Sequence, residues 1–266
     1  MKSRILVAVV GVPVLAWVVL WAPSIVMTVA LMALAAVAAY ELQTCVNGKN
    51  HSTLESIAGV FAIFTVGTYA WEPGMIGVTF AIMVIVLFGY AVCKAGAVKF
   101  PQLMAALFAD MVIATSFSGF LRMEASGIHR AYLLLPFILS FACDTFAYFT
   151  GLTLGKHKLA PKVSPKKTIE GSIGGILGNV ACGLLFAFVM DHWFGGSIGY
   201  GPMVILAVLC GVVAQVGDLS FSLIKREFGV KDYGHLFLEH GGVLDRFDSV
   251  LFAAPVLCAL LRALAA

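Results

Sequence analysis

Residues 75–93 read MIGVTFAIMVIVLFGYAVC, a run of 19 residues without a charged side chain. An α-helix of roughly 20 apolar residues covers the hydrocarbon core of a lipid bilayer. The run therefore predicts a transmembrane helix. The same pattern recurs along the chain, and it decides the class of fold.

Nine predominantly apolar runs are present, and some of them contain one charged residue. They cover residues 5–22, 25–41, 57–71, 75–93, 102–120, 131–151, 171–190, 201–218 and 249–265. Apolar side chains make up 61% of the 266 residues, and only 17 Lys or Arg and 14 Asp or Glu residues are charged. So little charge excludes a soluble enzyme, and so much apolar surface excludes a disordered chain. We predict an all-α, polytopic integral membrane protein with about nine transmembrane helices.

The positions of the basic residues predict the orientation. If the spans alternate, fourteen of the 17 Lys and Arg residues fall on the side of the N-terminus. Basic residues concentrate in cytoplasmic loops, so we expect a cytoplasmic N-terminus, an outer C-terminus and cytoplasmic loops at 152–170 and 219–248. The membrane would be a bacterial inner (plasma) membrane. The net charge of +3 is too small to suggest a nucleic-acid partner.

The chain divides by chemical character rather than by a linker, so we predict a single membrane domain over residues 1–266. Residues 1–120 form mostly apolar helices with few functional side chains. Residues 131–266 carry nearly all the candidate chemistry, in catalytic helices and in the two cytoplasmic loops.

The densest charge lies between Asp218 and Asp248, where ten of 31 residues are charged. A solvated loop is one interpretation of such a run. If the eighth helix instead continues past the membrane edge, one of its faces carries Gln215, Asp218, Ser222 and Lys225. That arrangement favours a binding site over a plain loop.

A second feature is the pair Gly241 and Gly242, which follows His240 and precedes an apolar run. Glycines let a backbone approach a ligand closely, and free N–H groups at the start of a helix attract anions. Asp245 and Asp248 fall three residues apart in the first turns of that helix. Carboxylates beside an anion cradle are what a metal-bound polyphosphate requires, and oxygen ligands suit Mg²⁺.

The loop 152–170 carries five lysines against one acid, Glu170. Its segment Ser164-Pro165-Lys166-Lys167-Thr168 combines hydroxyl and ammonium groups suited to phosphate. Attraction of the loop to anionic lipid explains the same charges equally well.

Asp144 lies inside the sixth span, where an ionisable group costs about 2.5–3.5 kcal/mol. We expect it to face a hydrated cavity or a cation. Asp110 in the fifth span has fewer polar residues near it in sequence, and its role stays open. Four glycines begin the seventh span, and we interpret them as close helix packing rather than a nucleotide loop; they are Gly171, Gly174, Gly175 and Gly178.

Together these motifs resemble one known signature. SLIKR at 222–226, KDYG at 231–234 and HGGVLDRFD at 240–248 follow it in order and spacing, and DTFAYFTG at 144–151 and SPKKTIEG at 164–171 resemble it too. The chain is similar to the phosphatidate cytidylyltransferase (CDP-diglyceride synthase) family. Leu238 departs from the family pattern, which has Pro or Gly there.

The resemblance implies a dimeric membrane enzyme that needs Mg²⁺, with a second cation possible. Such enzymes join CTP to phosphatidic acid and release CDP-diacylglycerol and pyrophosphate. It implies metal ligands at Asp218 and Asp245, with Asp144 and Asp248 in or near the same cluster, and it makes Lys225 a catalytic cation. The implied substrate-binding residues are Ser164, Lys166, Lys167, Ser222, Arg226, Lys231, Asp232, His240, Gly241, Gly242 and Arg246.

Two alternatives stay open. A CTP-dependent polyprenol or dolichol kinase would also need a membrane site for CTP and metal, but it would transfer the γ-phosphate. A cation-coupled transporter would explain Asp110 and Asp144 as relay acids. It would not need the charges between 218 and 248.

Overall fold

The structure is a computed structural model that describes residues 2–48, 53–196, 198–236 and 241–265, with side chains from residue 11 to residue 264. Ten α-helices are present in these residues: α1 (Lys2–Leu20), α2 (Ser24–Asn47), α3 (Thr53–Trp71), α4 (Ile76–Cys93), α5 (Phe100–Phe108), α6 (Thr115–Ala125), α7 (Leu135–Leu154), α8 (Ile169–Trp193), α9 (Tyr200–Glu227) and α10 (Leu244–Ala265). A π-helical segment, Ala109–Ala114, joins α5 to α6. Short 3₁₀ turns, Pro73–Met75 and Arg130–Leu134, lead into α4 and α7.

The predicted all-α membrane fold is confirmed. Within the described residues, eight helical stretches are long and apolar enough to cross a bilayer, and they match eight of the nine predicted spans. The remaining predicted span, 5–22, corresponds to α1, within which Gly11–Leu20 is a shorter apolar helical stretch. The chain is therefore described as a polytopic integral membrane protein.

Several helix ends differ from the predicted spans because hydropathy marks only the apolar middle of a helix. The second span was predicted to end at residue 41, but α2 continues to Asn47. The eighth was predicted to end at 218, but α9 continues to Glu227, so much of the predicted loop 219–248 is helical. Most of the remaining helices also extend a few residues beyond the predicted spans at one or both ends, whereas α4 lies within its predicted span.

The predicted loop 152–170 is likewise more regular than expected. It contains a two-stranded antiparallel hairpin, with β1 (Lys158–Ala160) paired to β2 (Ser164–Thr168) and a register irregularity between them. Thr168 closes the hairpin and caps α8, because its Oγ1 accepts a hydrogen bond from Gly171 N at 3.1 Å. Such a side-chain cap satisfies an amide that the helix itself leaves unpaired.

The chain forms two compact units. The first comprises Met1–Ala125 and Glu227–Phe247, and the second comprises Ser126–Arg226 and Asp248–Ala266. The boundary after residue 125 lies near the predicted change of character between 120 and 131. Segment 227–247 was predicted to belong with the later helices, but it packs with the first unit.

In the first unit, small side chains let helices α2 and α3 pack closely. Ala35, Ala39, Ala58 and Ala62 are fully buried, and a Cβ at Gly59 would lie 3.3 Å from the Ala36 carbonyl oxygen. Such close packing is a main source of helix association in membranes. Asp110, in the π-helical segment, accepts a hydrogen bond of 2.6 Å from Thr65 Oγ1 on α3, so this buried acid has a polar partner.

In the second unit, the glycines at the start of α8 pack against α7. A Cβ at Gly171 would lie 2.7 Å from Ala147 O, and one at Gly175 would lie 2.8 Å from Cys143 O. Those distances leave no room for a side chain. The interpretation of these glycines as helix-packing residues is confirmed.

Candidate active site

Three acids from three helices of the second unit form the centre of the candidate site. Ser249 links two of them: its Oγ donates to Asp144 Oδ2 at 3.1 Å, and its backbone N donates to Asp248 Oδ1 at 2.7 Å. Asp248 also interacts electrostatically with Asp218 and Asp144. Helices α7, α9 and α10 therefore bring together carboxylates that are far apart in sequence.

Asp218 is held by two neighbours. The Lys167 ammonium forms an ion pair with Asp218 Oδ2, and the Ser222 hydroxyl, one helical turn further along α9, donates to Oδ1 at 3.3 Å. Lys167 lies in β2, and its charge also acts on Asp144. The hairpin thus places one of its lysines at the acids, whereas the resemblance implied only a phosphate-binding role for Lys167.

Lys225 supplies a second cation. It is buried on the same face of α9 as Ser222, and it interacts electrostatically with Asp248. Three carboxylates thus face two ammonium groups. When all five are ionised, the cluster carries an excess of negative charge and attracts a further cation.

The donor chemistry of this cluster fits a magnesium ion that arrives with a phosphate ligand. Mg²⁺ prefers oxygen, commonly takes one or two carboxylates, and completes its coordination with phosphate oxygens and water. In the described part of the chain, no group of three or more His, Cys, Asp and Glu side chains is arranged to hold a metal by itself. We therefore expect Asp144, Asp218 and Asp248 to supply only some of the metal ligands, with phosphate oxygens and water supplying the others.

Behind the acids, a hydrogen-bonded pair anchors α9 to α8. Gln215 Nε2 donates to the Ser172 carbonyl oxygen at 3.1 Å, and the Ser172 hydroxyl donates to Gln215 Oε1. Gln215 is buried one turn before Asp218. The pair fixes α9 at the level of the cluster.

The rest of the hairpin lies beside the end of α9. Arg226 Nε donates to the Val163 carbonyl oxygen at 3.3 Å, which ties the hairpin turn to the helix. Lys166 is exposed and Ser164 is half-buried in β2. Three of the predicted phosphate-binding residues, Ser164, Lys166 and Arg226, therefore lie in or beside the hairpin.

The glycine segment before α10 belongs to the first unit, and there the structure differs from the expectation. The amides of Val243 and Leu244 were predicted to be free for an anion. Instead they donate to Glu41, at 3.0 Å to Oε1 and 2.8 Å to Oε2. A buried carboxylate of α2 therefore occupies the position where a phosphate was expected.

Asp245 has a related role. Its Oδ2 accepts hydrogen bonds from Tyr233 N at 2.7 Å and from Gly242 N at 3.0 Å. Gly241 adopts φ +79°, a conformation that favours glycine, and a Cβ there would also meet the Asp245 carboxylate. The oxygen predicted to bind metal thus accepts two backbone amides.

The remaining predicted residues of the first unit lie at its surface. Lys231, Asp232 and Arg246 are exposed, which leaves them accessible to a soluble ligand. His240 and Leu238 lie outside the described residues.

Two polar residues with evident roles were not predicted. Ser249 follows the signature directly and was treated as part of an apolar helix. Glu41 stands at the end of an apolar run, where an ionisable residue is by default a functional candidate. The predicted span ended at residue 41, so the acid was placed at a membrane edge rather than inside a helix.

Comparison with known proteins identifies the family of the chain. The model of the cytidylyltransferase family matches residues 2–264. The chain is 36% identical over 179 residues to a phosphatidate cytidylyltransferase of Staphylococcus haemolyticus, and 38% identical over 182 residues to one of Staphylococcus saprophyticus. Each match covers 67% of this chain and 66% of the relative, slightly less than two thirds of its length.

The fold and the cluster define the class: the chain is an integral membrane protein in which carboxylates from three helices lie beside two lysines. Because the family model spans almost the whole sequence, the chain belongs to the cytidylyltransferase family.

Proposed function

We propose that the chain is a phosphatidate cytidylyltransferase, which joins CTP to phosphatidic acid and yields CDP-diacylglycerol and pyrophosphate. The observation that carries this proposal is the family match over residues 2–264, in a chain whose signature acids Asp218 and Asp248 lie with Asp144 beside two lysines. The named relatives support the same activity.

In the proposed reaction, a phosphate oxygen of the lipid attacks the α-phosphorus of CTP. The new P–O bond forms as the bond to the departing pyrophosphate breaks. A phosphate monoester has a second pKa near 6, so the nucleophile is already largely deprotonated at neutral pH. No strong general base is needed, and the difficulty is to bring two anionic groups together.

The side chains of the cluster address that difficulty. Lys167 and Lys225 offset negative charge where the phosphates meet, while exposed Lys166 lies on the same hairpin as Lys167. Asp144, Asp218 and Asp248 would hold Mg²⁺, and a second cation is compatible with three carboxylates. When bound, the ion would stabilise the charge that develops on the transferred and leaving phosphates.

The proposal extends to the location of the site. Since basic residues mark cytoplasmic loops, we place the hairpin and the acids at the cytoplasmic face of a bacterial inner membrane. The lipid would enter from the inner leaflet and meet soluble CTP there. The homodimer and the absence of a nucleic-acid partner remain predictions.

Two labels on CTP test the proposed function. Purified protein in mixed micelles is given phosphatidic acid and either α- or γ-labelled CTP, with Mg²⁺ or with a chelator. We expect the α-label in the lipid product, the γ-label in pyrophosphate, and no conversion under chelation.

Other outcomes identify the alternatives. Transfer of the γ-label to lipid would indicate a CTP-dependent lipid kinase. Cation flux into proteoliposomes without consumption of CTP would indicate a transporter. Either result would overturn the proposal.

A further inference from the structure

The start of α10 is capped from a distant part of the chain. Helix α10 begins at Leu244, directly after Val243, whose side chain has no oxygen to accept the first amides. Glu41, which lies on α2, accepts hydrogen bonds from the amides of Val243 and Leu244. Leu244 is 203 residues away from Glu41 in sequence. A cap that a local Ser or Asp usually supplies is here supplied by another helix.

The glycines around this cap leave room for the Glu41 carboxylate and for little else. A Cβ added at Gly242 or at Gly234 would collide with the Glu41 carboxylate. Glu41 itself is only 6% exposed. These glycines therefore permit the close approach of Glu41, which already accepts the amides of Val243 and Leu244.

A buried carboxylate inside a helical span is costly, so its charge must be compensated. The two amide hydrogen bonds supply part of that compensation, because bonds to an ionised acceptor are stronger than neutral ones. Glu41 accepts from the amides of Val243 and Leu244, and Asp245 accepts from those of Tyr233 and Gly242. Two acids fix four backbone amides of one short segment.

We propose that Glu41 is a positioning residue for the reaction. It clamps the glycine segment and the first turn of α10, and thereby sets the direction in which Asp245 and Arg246 meet the substrates. The inference rests on the proposed function for its kinetic consequence. The clamp itself follows from the contacts of Glu41.

The first test compares Glu41→Gln with Glu55→Gln. Gln keeps the size of Glu41, but its NH₂ group faces an amide donor and cannot accept from it. Glu55 is also a buried acid of the first unit, and it accepts a hydrogen bond from Asn47 Nδ2 at 3.1 Å. It controls for the loss of a buried carboxylate.

Amide hydrogen exchange reports on the clamp without reference to activity. For Glu41→Gln we expect exchange in peptides covering residues 241–246 to accelerate by about tenfold or more, because one of the two amides loses its acceptor and faces an NH₂ group instead. Glu55→Gln should leave that exchange unchanged. Unaltered exchange in Glu41→Gln would show that Glu41 does not hold the segment, and the inference would fail.

Kinetics then separate positioning from mere stability. A misplacement of about 1 Å costs on the order of 100-fold in rate, so we expect kcat of Glu41→Gln to fall roughly 10- to 100-fold. The KM for CTP should change by less than about threefold, since the substitution does not touch Lys167 and Lys225 of the acid cluster. A normal kcat alongside accelerated exchange would overturn the positioning role.

A second variant covers the case in which Glu41→Gln does not fold. Gly242→Ala keeps the charge but pushes the Glu41 carboxylate off the amides, so the same acceleration of exchange and loss of kcat are expected. Wild-type kcat and exchange in Gly242→Ala would contradict the inference. If wild-type protein does not convert CTP, the proposed function fails, while exchange still measures the clamp.

Discussion

Asp218 is the side chain at which the charges of the cluster meet. It pairs with the Lys167 ammonium and accepts the Ser222 hydroxyl, so its carboxylate links the hairpin to α9. In the proposed reaction, a charge in this position would contribute by electrostatics rather than by proton transfer. Its removal should therefore affect turnover far more than folding.

We predict that Asp218→Asn lowers kcat by about 100-fold or more, the loss typical of removing one preorganised electrostatic group. The thermal midpoint in detergent should stay near that of the wild type because Asn preserves shape. Asp191→Asn, an exposed acid near the far end of α8, is the matched control. Near-normal turnover of Asp218→Asn at saturating Mg²⁺ would refute the assignment.

Asp245→Asn is expected to abolish turnover as well, although for a mixed reason. Its Oδ2 accepts hydrogen bonds from Tyr233 N and Gly242 N, so the substitution by Asn also weakens these two bonds to the backbone of the glycine segment. Hydrogen exchange over residues 233–242 distinguishes the two effects: loss of activity with unchanged exchange points to the charge alone.

Lys167 and Lys158 lie on the same hairpin but differ in surroundings. Lys167 pairs with Asp218, whereas Lys158 is exposed in β1. A hydrogen bond to a charged group contributes about 1.5–3 kcal/mol, so Lys167→Met should lower kcat/KM for CTP about tenfold or more. Lys158→Met should retain activity. Equal losses in both variants would assign the effect to the overall charge of the hairpin.

Among the helices, the pair α7 and α8 supports the acid cluster. Asp144 is on α7, and the glycine face of α8 packs directly against α7 at Cys143 and Ala147. A side chain inserted there must separate the helices and move Asp144. Stability and activity are thus coupled at this contact.

We predict that Gly175→Ala lowers the free energy of unfolding by about 1–3 kcal/mol, the usual cost of overpacking. The new Cβ would lie 2.8 Å from Cys143 O, a backbone atom that cannot rotate away. Gly89→Ala in α4 is the control, because nothing lies within 4 Å of its Cβ. The measurement is thermal unfolding in detergent together with turnover; an unchanged midpoint for Gly175→Ala would argue against tight packing.

For the other elements, hydropathy predicted some boundaries and missed others. The apolar runs predicted which segments are helical. The eighth span was predicted to end at residue 218, and only under the condition that its helix continued would Asp218 and Ser222 share a face; α9 does continue, and the two side chains are in contact. Hydropathy did not predict the hairpin β1–β2, because its short strands are basic and rich in turn residues. Nor did it place the last turns of α2, where the polar residues after Glu41 remain helical.

For the whole chain, the distribution of basic residues leads to a prediction about orientation. A cysteine at Lys158 should react with a membrane-impermeant thiol reagent only from the cytoplasmic side, and one at Ser126 only from the outside. Both positions are exposed, and the exposed native Cys93 is first replaced by serine. The physical reason is the retention of basic loops in the cytoplasm. Labelling with the opposite sidedness would invert the proposed topology.

The spans, the family resemblance and the acids at 144, 218 and 248 followed from the sequence, because hydropathy sums locally and a signature is a matter of spacing. The grouping of 227–247 with the first unit, the pairing of Lys167 with Asp218 and the cap from Glu41 did not. Each joins segments far apart along the chain, and the partner of a side chain depends on how distant helices pack. The glycines before α10 show the difference most clearly: their pattern predicted a close approach, and the packing of α2 determined that a carboxylate of the chain makes it.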